Sequence, residues 1–324
     1  SEGDEELPAL QLLAAYGGRD LAEANVTGLL AEAVEGFLSL GDTARAAETA
    51  QVLAREFFHM GDISGADEAT GRAIELARSV PLSTATARAI SGHARHIVVA
   101  HAAYATGTEL AREALAFADE TGDDRLAMHA LNTVGMARVY SGDDAGLEDL
   151  GAAVERGRDA GAVFELGTAL NNYGNILAIV GRLDESDARL DEARELCERY
   201  GITAGIVWNE GERVYQRDRR GDLAGTLTAA NRFLAQPFAA DSYQRRPVLA
   251  CRARVFLARG QVAEAVGDAE EVFADGGESN ADAQTQAWLS TACSRSLRAI
   301  GRGEDAEELL QAALGAAYDP LVYD

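Results

Sequence analysis

Turn signals recur about every twenty residues along the chain, and the intervals between them have the spacing of half-buried helices. The interval that follows Leu183 shows the pattern clearly. Its small or apolar residues are Ser186, Leu190, Ala193, Cys197 and Tyr200. Charged residues fill most of the remaining positions, so one face of this helix is expected to be buried and the others exposed.

The turn signals are mostly glycines, the residue that most often ends a helix in the left-handed conformation. They stand at Gly41, Gly61, Pro81, Gly122, Gly142, Gly161, Gly181, Gly201, Gly221, Gly260 and Gly301. Helix-favouring Ala, Leu, Glu and Arg are abundant between them. The pattern predicts about sixteen helices, paired into hairpins that repeat about every forty residues, which is typical of a solenoid.

We therefore expect an all-α fold, a single right-handed α-solenoid of about eight degenerate helical hairpins across residues 1–324. Within it we expect N-terminal capping helices at 1–42, repeats at 43–317 and a C-terminal tail at 318–324. No interval alternates as a strand would, and the Val-rich stretch at 97–99 lies inside a helical frame.

The sequence predicts that the protein is located in the cytoplasm. No apolar run approaches the length of a membrane span, and the first residues lack the pattern of a signal peptide. The three cysteines, Cys197, Cys251 and Cys293, lie on different predicted helices. Their spacing indicates buried thiols in a reducing compartment rather than a metal pair or a disulfide framework.

All 29 basic residues are arginine. Walker A loops, protein kinases and pyridoxal phosphate enzymes each depend on a lysine, which arginine cannot replace. The chain also lacks the common motifs of metalloproteases, serine hydrolases, dinucleotide binding and calcium binding. Glu210 and Glu212 are two residues apart and point to different helix faces. We therefore expect neither an enzyme nor a cofactor.

A segment at 169–186 resembles a tetratricopeptide repeat. The residues that carry the resemblance are Leu170, Asn172, Tyr173, Gly174, Asn175, Gly181, Asp184 and Glu185. Gly135 and Gly142 repeat the seven-residue spacing of Gly174 and Gly181, 39 residues earlier. The resemblance implies that the first helix of each repeat, the A helix, lines a concave face.

A narrower resemblance comes from the segments 128–135, 142–147 and 169–172. They are similar to the long-repeat helical region of large ATP-dependent LuxR-type transcriptional regulators and related multidomain ATPases. In those proteins such an array receives a signal and relays it to an output domain. This chain has no ATPase domain or helix-turn-helix motif and begins with Ser1, so it is expected to be either an excised region or a free-standing relative.

The repeat resemblance also implies which side chains point into the concave groove and form its ligand-binding surface. They are His93, His96, His129, Asn132, Thr133, Met136, Tyr140, Asn171, Asn172, Asn175, Trp208, Glu212, Tyr215, Arg254, Trp288 and Arg295. Asn172 and Asn175 match paired asparagines with which many family members bind a peptide backbone or carboxylate. The alternative is that this pair belongs to the general repeat pattern and has no ligand.

Four of the five histidines fall within 37 residues, at His93, His96, His101 and His129. His93 and His96 could chelate a metal from one helix face. A zinc site usually adds a carboxylate or thiolate in fixed geometry, and the sequence offers no obvious one. We therefore expect no metal site and assign these histidines to structural or groove-lining roles.

Charge is distributed unevenly. Residues 213–259 contain ten arginines and three acids and carry +7, which leaves −31 for the rest of a chain whose net charge is −24. This asymmetry predicts a surface for an anion or an acidic partner, with Arg254 and Arg295 as a clamp for a carboxylate or phosphate. The alternative is that these arginines pair with the protein's own acids.

The sequence therefore predicts a non-catalytic binding module, the sensor or partner-docking array of a signalling or transcription regulator. It would capture a peptide, a protein segment or a small anionic ligand in the groove. The first alternative is a passive protein–protein scaffold, and a weaker one is an enzyme with an unrecognised site. Neither nucleic acid nor membrane is expected as a partner. The apolar tail residues Tyr318, Leu321, Val322 and Tyr323 could join two copies, so a homodimer is a further expectation.

Overall fold

The computed structural model describes residues 6–9, 11, 25–240, 242–273 and 283–317, without the side chains of 283–287 and 312–317. These ranges contain fifteen α-helices between residues 26 and 317, one 3-10 helix, further helical residues at 6–9 and 11, and no strand, which confirms the all-α prediction. The α-helices are α1 Val26–Ser39, α2 Thr43–His59, α3 Ile63–Arg78, α4 Thr84–His101, α5 Tyr104–Thr121, α6 Asp124–Tyr140, α7 Gly146–Asp159, α8 Val163–Ile179, α9 Leu183–Tyr200, α10 Thr203–Arg219, α11 Leu223–Leu234, α12 Arg245–Ala258, α13 Val262–Val272, α14 Ala283–Ala299 and α15 Gly303–Ala317, and the 3-10 helix is Pro237–Ala239. In the described part of the chain, none of these helices is both long and apolar enough for a membrane span.

Gly-Asp dipeptides end one helix and begin the next. All ten glycines at the predicted turns have φ between 59° and 85°, in the left-handed region that glycine adopts without strain. The aspartate that follows caps the next helix: Asp42 Oδ1 accepts a hydrogen bond from the backbone N–H of Arg45 at 3.0 Å. Asp123 accepts one from Leu126 at 3.1 Å in the same way. One dipeptide therefore fixes both ends of a turn.

Helices α2 to α15 form seven successive hairpins, and the A helix of each hairpin packs on the A helix of the next. The buried apolar residues that the structure describes form eight separate clusters along the array instead of one central core. We expected about eight hairpins; helix α1 precedes the seven described here. Most of the expected capping segment before residue 25, and the tail at 318–324, lie outside the described residues, so the domain division stays a prediction.

The array curves until hairpins distant in sequence meet. Helix α14 contacts α4. The Tyr243 ring, in the connection before α12, stacks on Phe58 of α2 and on Trp208 of α10, with centroid separations of 5.2 Å and 5.3 Å. The expected concave groove is therefore a narrow space crossed by side chains. We call this space, which Phe58, Tyr243 and Trp208 cross, the inner channel.

Candidate functional site

Three of the asparagines expected to bind a ligand are buried in the packing between A helices. Asn172 Nδ2 donates to Asn132 Oδ1 at 2.8 Å, and Asn209 Nδ2 donates to Asn171 Oδ1 at 2.9 Å. These amides join α6, α8 and α10. The expectation that Asn132, Asn171 and Asn172 point into the groove is corrected, because hydrogen bonds to one another hold them inside the array.

Thr133 and Met136 also lie in the interior, which corrects their expected place in the groove. The Thr133 hydroxyl donates to the backbone carbonyl of His129 at 3.1 Å. Met136 packs in an apolar cluster with Leu150 and Ile176. Both side chains therefore support packing between helices.

The aromatic residues predicted to line the groove lie in different parts of the structure. Tyr215 and Trp288 meet edge to face, with ring centroids 5.3 Å apart. Tyr140 stacks on Tyr104 at 5.7 Å and lines a surface depression of about 580 Å³ between the start of α5 and the end of α6. Tyr140 is thus apart from the aromatic residues that cross the inner channel.

The expected clamp of Arg254 and Arg295 is not formed. Arg254 Nη1 lies 3.1 Å from Asp218 Oδ2, and Arg295 is exposed on α14. Burial raises the pKa of Asp218, and the charge of Arg254 acts in the opposite direction. Arg254 is corrected from a ligand-binding group to the ion-pair partner of a buried carboxylate, because Asp218 already occupies it.

The arginine-rich segment at 213–259 pairs extensively with the protein's own acids. Within the described residues, seven of its ten arginines form ion pairs with carboxylates. They are Arg213, Arg217, Arg220, Arg232, Arg245, Arg252 and Arg254. The intramolecular alternative therefore accounts for most of this local positive charge.

Glu212, Asn175 and Trp208, three of the predicted residues, come together beside the inner channel. The buried Glu212 carboxylate accepts hydrogen bonds from Asn175 Nδ2 at 2.6 Å and from Gln244 Nε2 at 3.2 Å. Burial raises the pKa of Glu212, and these hydrogen bonds partly counteract the rise. Gln244 follows Tyr243, whose ring stacks on Trp208. The cluster therefore fixes the connection before α12 against α8 and α10.

Arg55, Arg95 and His129 lie close together on three successive A helices and form what we call the cationic cluster. Burial and the charge of Arg55 lower the pKa of Arg95 to about 10, so it stays charged at neutral pH. Burial and the charges of Arg95 and Arg55 lower the pKa of His129 to about 3. His129 Nδ1 also lies 2.8 Å from Ser91 Oγ. The ring is therefore neutral at pH 7, and the two guanidinium groups supply the charge.

Arg95 is distinguished by its lack of an acidic partner. Within the described residues it has no hydrogen bond or ion pair. The other described arginines that also lack both are all exposed. Arg55 Nε is buried without a hydrogen bond, and its ion pair with Glu56 is long, at 3.5 Å. Its guanidinium lies 5.7 Å from the Phe164 ring centroid. Arg95 is half-buried without a counterion, and removing a cation from water without one is costly, so this cluster fits a further anionic group.

A second cluster joins His96 and His101 through Asp67, whereas the sequence had suggested His93 and His96 as the two histidines that could chelate an ion together. Asp67 Oδ1 lies 2.5 Å from His96 Nε2 and 2.6 Å from His101 Nε2. His93 Nδ1 instead lies 3.3 Å from Thr70 Oγ1. Burial and the charges of His96 and His101 lower the pKa of His93 to about 4. Asp67 on α3 is the carboxylate that sequence reasoning did not find.

The repeat period could have identified part of the cationic cluster. Arg55 and Arg95 are 40 residues apart, close to the 41 residues that separate Arg254 from Arg295. Asp67 and Tyr243 give no comparable signal, because each meets its partners through packing between different hairpins.

Solved helical-repeat structures share this architecture. A Rap protein complexed with Competence and Sporulation Factor matches with a TM-score of 0.67 and 14% identity, over 96% of this chain and 84% of that chain. The Rap conjugation gene regulator of plasmid pLS20, in complex with a Phr peptide, matches with a TM-score of 0.52 and 12% identity, over 83% and 94%. A signal transduction ATPase with numerous domains and a tetratricopeptide repeat sensor, from Pyrococcus horikoshii, matches with a TM-score of 0.51 and 13% identity, over 98% and 53%.

No family model and no curated protein sequence matches the chain. At these identities the structural likeness concerns the fold alone. The residue pattern around Gly174 and Gly181 predicted the same architecture from the sequence. The array is therefore a helical-repeat fold of the tetratricopeptide type.

Proposed function

We propose that the protein is a non-catalytic binding module that captures an acidic peptide or protein segment in the inner channel. Arg95 and Arg55 would hold a carboxylate of the ligand. The regulator context predicted from the sequence belongs to this proposal: ligand capture would change the curvature of the array and so signal to an output domain.

The observation that carries the proposal is Arg95, which is half-buried and has no acidic partner among the described residues. In a chain with a net charge of −24, carboxylates to pair with it are abundant elsewhere. A ligand carboxylate would form charge-assisted hydrogen bonds with Arg95 and with the unsatisfied Nε of Arg55. Neutral His129 leaves the local charge at the two arginines, which favours a single anionic group.

The aromatic stack decides how such a ligand enters. Phe58, Tyr243 and Trp208 cross the inner channel, and in this proposal the peptide displaces the Tyr243 ring as it enters. The exposed aromatic faces would then contact the ligand's apolar side chains. Displacement of Tyr243 also loosens one link between α2 and α10, which couples binding to the shape of the array.

Two structural relatives support a binding role. One Rap structure contains Competence and Sporulation Factor and another contains a Phr peptide. The Pyrococcus protein carries a repeat array of this fold as a sensor, which supports the proposed role in a regulator. The alternative of a passive scaffold would use the outer surfaces and would not require the cationic cluster.

Affinity selection tests the proposal. The full chain is mixed with a library of peptides in two forms, with free and with amidated C-termini, and the retained peptides are identified by mass spectrometry. We expect retained peptides to be acidic or to require a free C-terminal carboxylate. Their affinity, measured by fluorescence anisotropy, should fall at least tenfold in Arg95→Gln.

Arg199→Gln is the matched control, because Arg199 is exposed on α9 and, among the described residues, has no hydrogen bond or ion pair. It should bind the selected peptides as the unmodified protein does. Equal affinity in Arg95→Gln and the unmodified protein, or retention of peptides without any acidic preference, would overturn the proposal.

A further inference from the structure

Asp67, His96 and His101 bring three metal-binding atoms to one point between α3 and α4. One carboxylate oxygen, Asp67 Oδ1, lies within 2.6 Å of the Nε2 atoms of both histidines. The three ligand atoms all lie within 4.8 Å of one another. Because an ionised carboxylate only accepts hydrogen bonds, both Nε2 atoms must carry a proton when they contact Asp67.

We propose that Asp67, His96 and His101 form a binding site for a borderline divalent cation of the Zn²⁺ class. Two imidazole nitrogens and one carboxylate are a usual protein donor set for such ions, with water in the open fourth position. The ion would replace the two Nε2 protons and be coordinated by the same three atoms.

One of the three proposed ligand side chains is buried and held in place, and the other two are exposed enough to change their orientation. The side chain of His96 is 5% exposed, whereas those of His101 and Asp67 are 46% and 41% exposed. The His96 ring meets Phe58 edge to face at 6.3 Å, which restricts its orientation. His96 therefore forms the base of the site, and solvent reaches it past the other two ligands.

Loading requires only a small expansion. Zinc bonds of about 2.0 to 2.2 Å at tetrahedral angles place neighbouring ligand atoms about 3.3 Å apart, so each Nε2 must move away from Asp67 Oδ1 by about 0.7 Å. The exposed side chains of His101 and Asp67 can rotate by this amount. The net charge of −24 also favours the approach of a cation.

The electrostatics of the three groups are compatible with an ion. Burial tends to raise the pKa of Asp67, but the hydrogen bonds from His101 and His96 outweigh this effect and keep it ionised. The hydrogen bond to Asp67 raises the pKa of His101. A metal ion must therefore compete with a proton at His101.

The test uses the full chain without a histidine tag, stripped with a chelator and then titrated with Zn²⁺ by calorimetry. Native mass spectrometry supplies the stoichiometry. We expect one Zn²⁺ per chain and at least tenfold weaker binding in His101→Ala and Asp67→Asn. Both variants change exposed side chains, and circular dichroism verifies their folding.

His93→Ala is the matched control, since His93 lies on the same helix but contacts Thr70 instead of Asp67. It should leave zinc affinity unchanged. As a second readout, Co²⁺ bound to the unmodified protein should give the visible absorption of a site with nitrogen and oxygen ligands, and His101→Ala should lose it. The absence of stoichiometric Zn²⁺ binding, or equal weakening in His93→Ala and His101→Ala, would overturn the proposal.

Discussion

The side-chain amide of Asn172 donates a hydrogen bond to that of Asn132 across 2.8 Å, and both residues are buried between α6 and α8. Asn132 Nδ2 has no hydrogen-bond partner among the described residues. The pair therefore adds one direct hydrogen bond to the apolar packing between these two helices.

We expect Asn172→Ala to destabilise the protein by about 1 to 3 kcal/mol, because the whole Asn132 amide is then buried without a partner. Asn132→Ala should cost less, since it also removes the unsatisfied Nδ2. Urea unfolding of both variants and of the double variant measures these effects. A larger cost for Asn132→Ala, or strict additivity in the double variant, would contradict this description of the pair.

Two glycines of α7 should respond oppositely to alanine. A Cβ at Gly146 would overlap the carbonyl oxygen of Gly135 on α6 and lie 2.9 Å from Arg138 Cβ. At Gly151 the nearest atom would be Tyr173 Oη, at 3.9 Å. We expect Gly146→Ala to cost about 1 to 3 kcal/mol and Gly151→Ala to stabilise by up to about 1 kcal/mol. Thermal unfolding of the two variants gives the signs directly, and stabilisation by both would show that α6 and α7 do not approach this closely.

Acid should weaken the folded state through His129. Its pKa is about 3 in the fold, against about 6.5 in an unfolded chain, so between these values the unfolded state binds more protons. The stability contributed by neutral His129 is complete above pH 6.5 and is lost as pH falls toward 3. The slope for one proton is at most about 1.4 kcal/mol per pH unit.

His129→Gln removes this proton-binding group, and unfolding free energies measured from pH 7 to pH 4.5 should fall less steeply than in the unmodified protein. The carboxylates titrate in both proteins and cancel in the comparison. Parallel curves would place the imidazole in a solvated environment away from Arg55 and Arg95.

Closure of the inner channel should depend on Tyr243. Tyr243→Ala removes both ring stacks, each worth about 0.5 to 1.5 kcal/mol, and should raise the radius of gyration measured by small-angle X-ray scattering. Trp208 fluorescence should change with it. Tyr200→Ala is the control, because Tyr200 is 56% exposed. An unchanged radius in Tyr243→Ala would show that other contacts, among them that between α14 and α4, are sufficient to keep the array closed.

Helix periodicity and turn glycines were sufficient to predict the architecture, because both are local properties of the chain. The ten turn glycines have the expected backbone conformation, and the interval after Leu183 forms α9 as expected. Each of these features depends on residues within one or two helical turns.

The candidate sites were harder to predict, because their groups come from different hairpins. The repeat pattern placed Asn132 and Asn172 on the correct helices, but whether they meet a ligand or each other depends on the rotation of α6 against α8. Asp67 meets His96 through packing of α3 on α4, and Tyr243 reaches Phe58 only because the array curves round. These relationships depend on curvature, which a sum of small interhelical angles determines.

Because α14 contacts α4, the array closes on itself instead of remaining an open solenoid. In an open solenoid the terminal repeats fray first, since each has a neighbour on one side only. Here the seventh hairpin packs against the second, so truncation at one end of the array also removes packing contacts from the other end. A force applied to the two ends of the array should break the contact between α14 and α4 before any repeat unfolds. The repeats would then stay folded, and the array would lose part of its curvature.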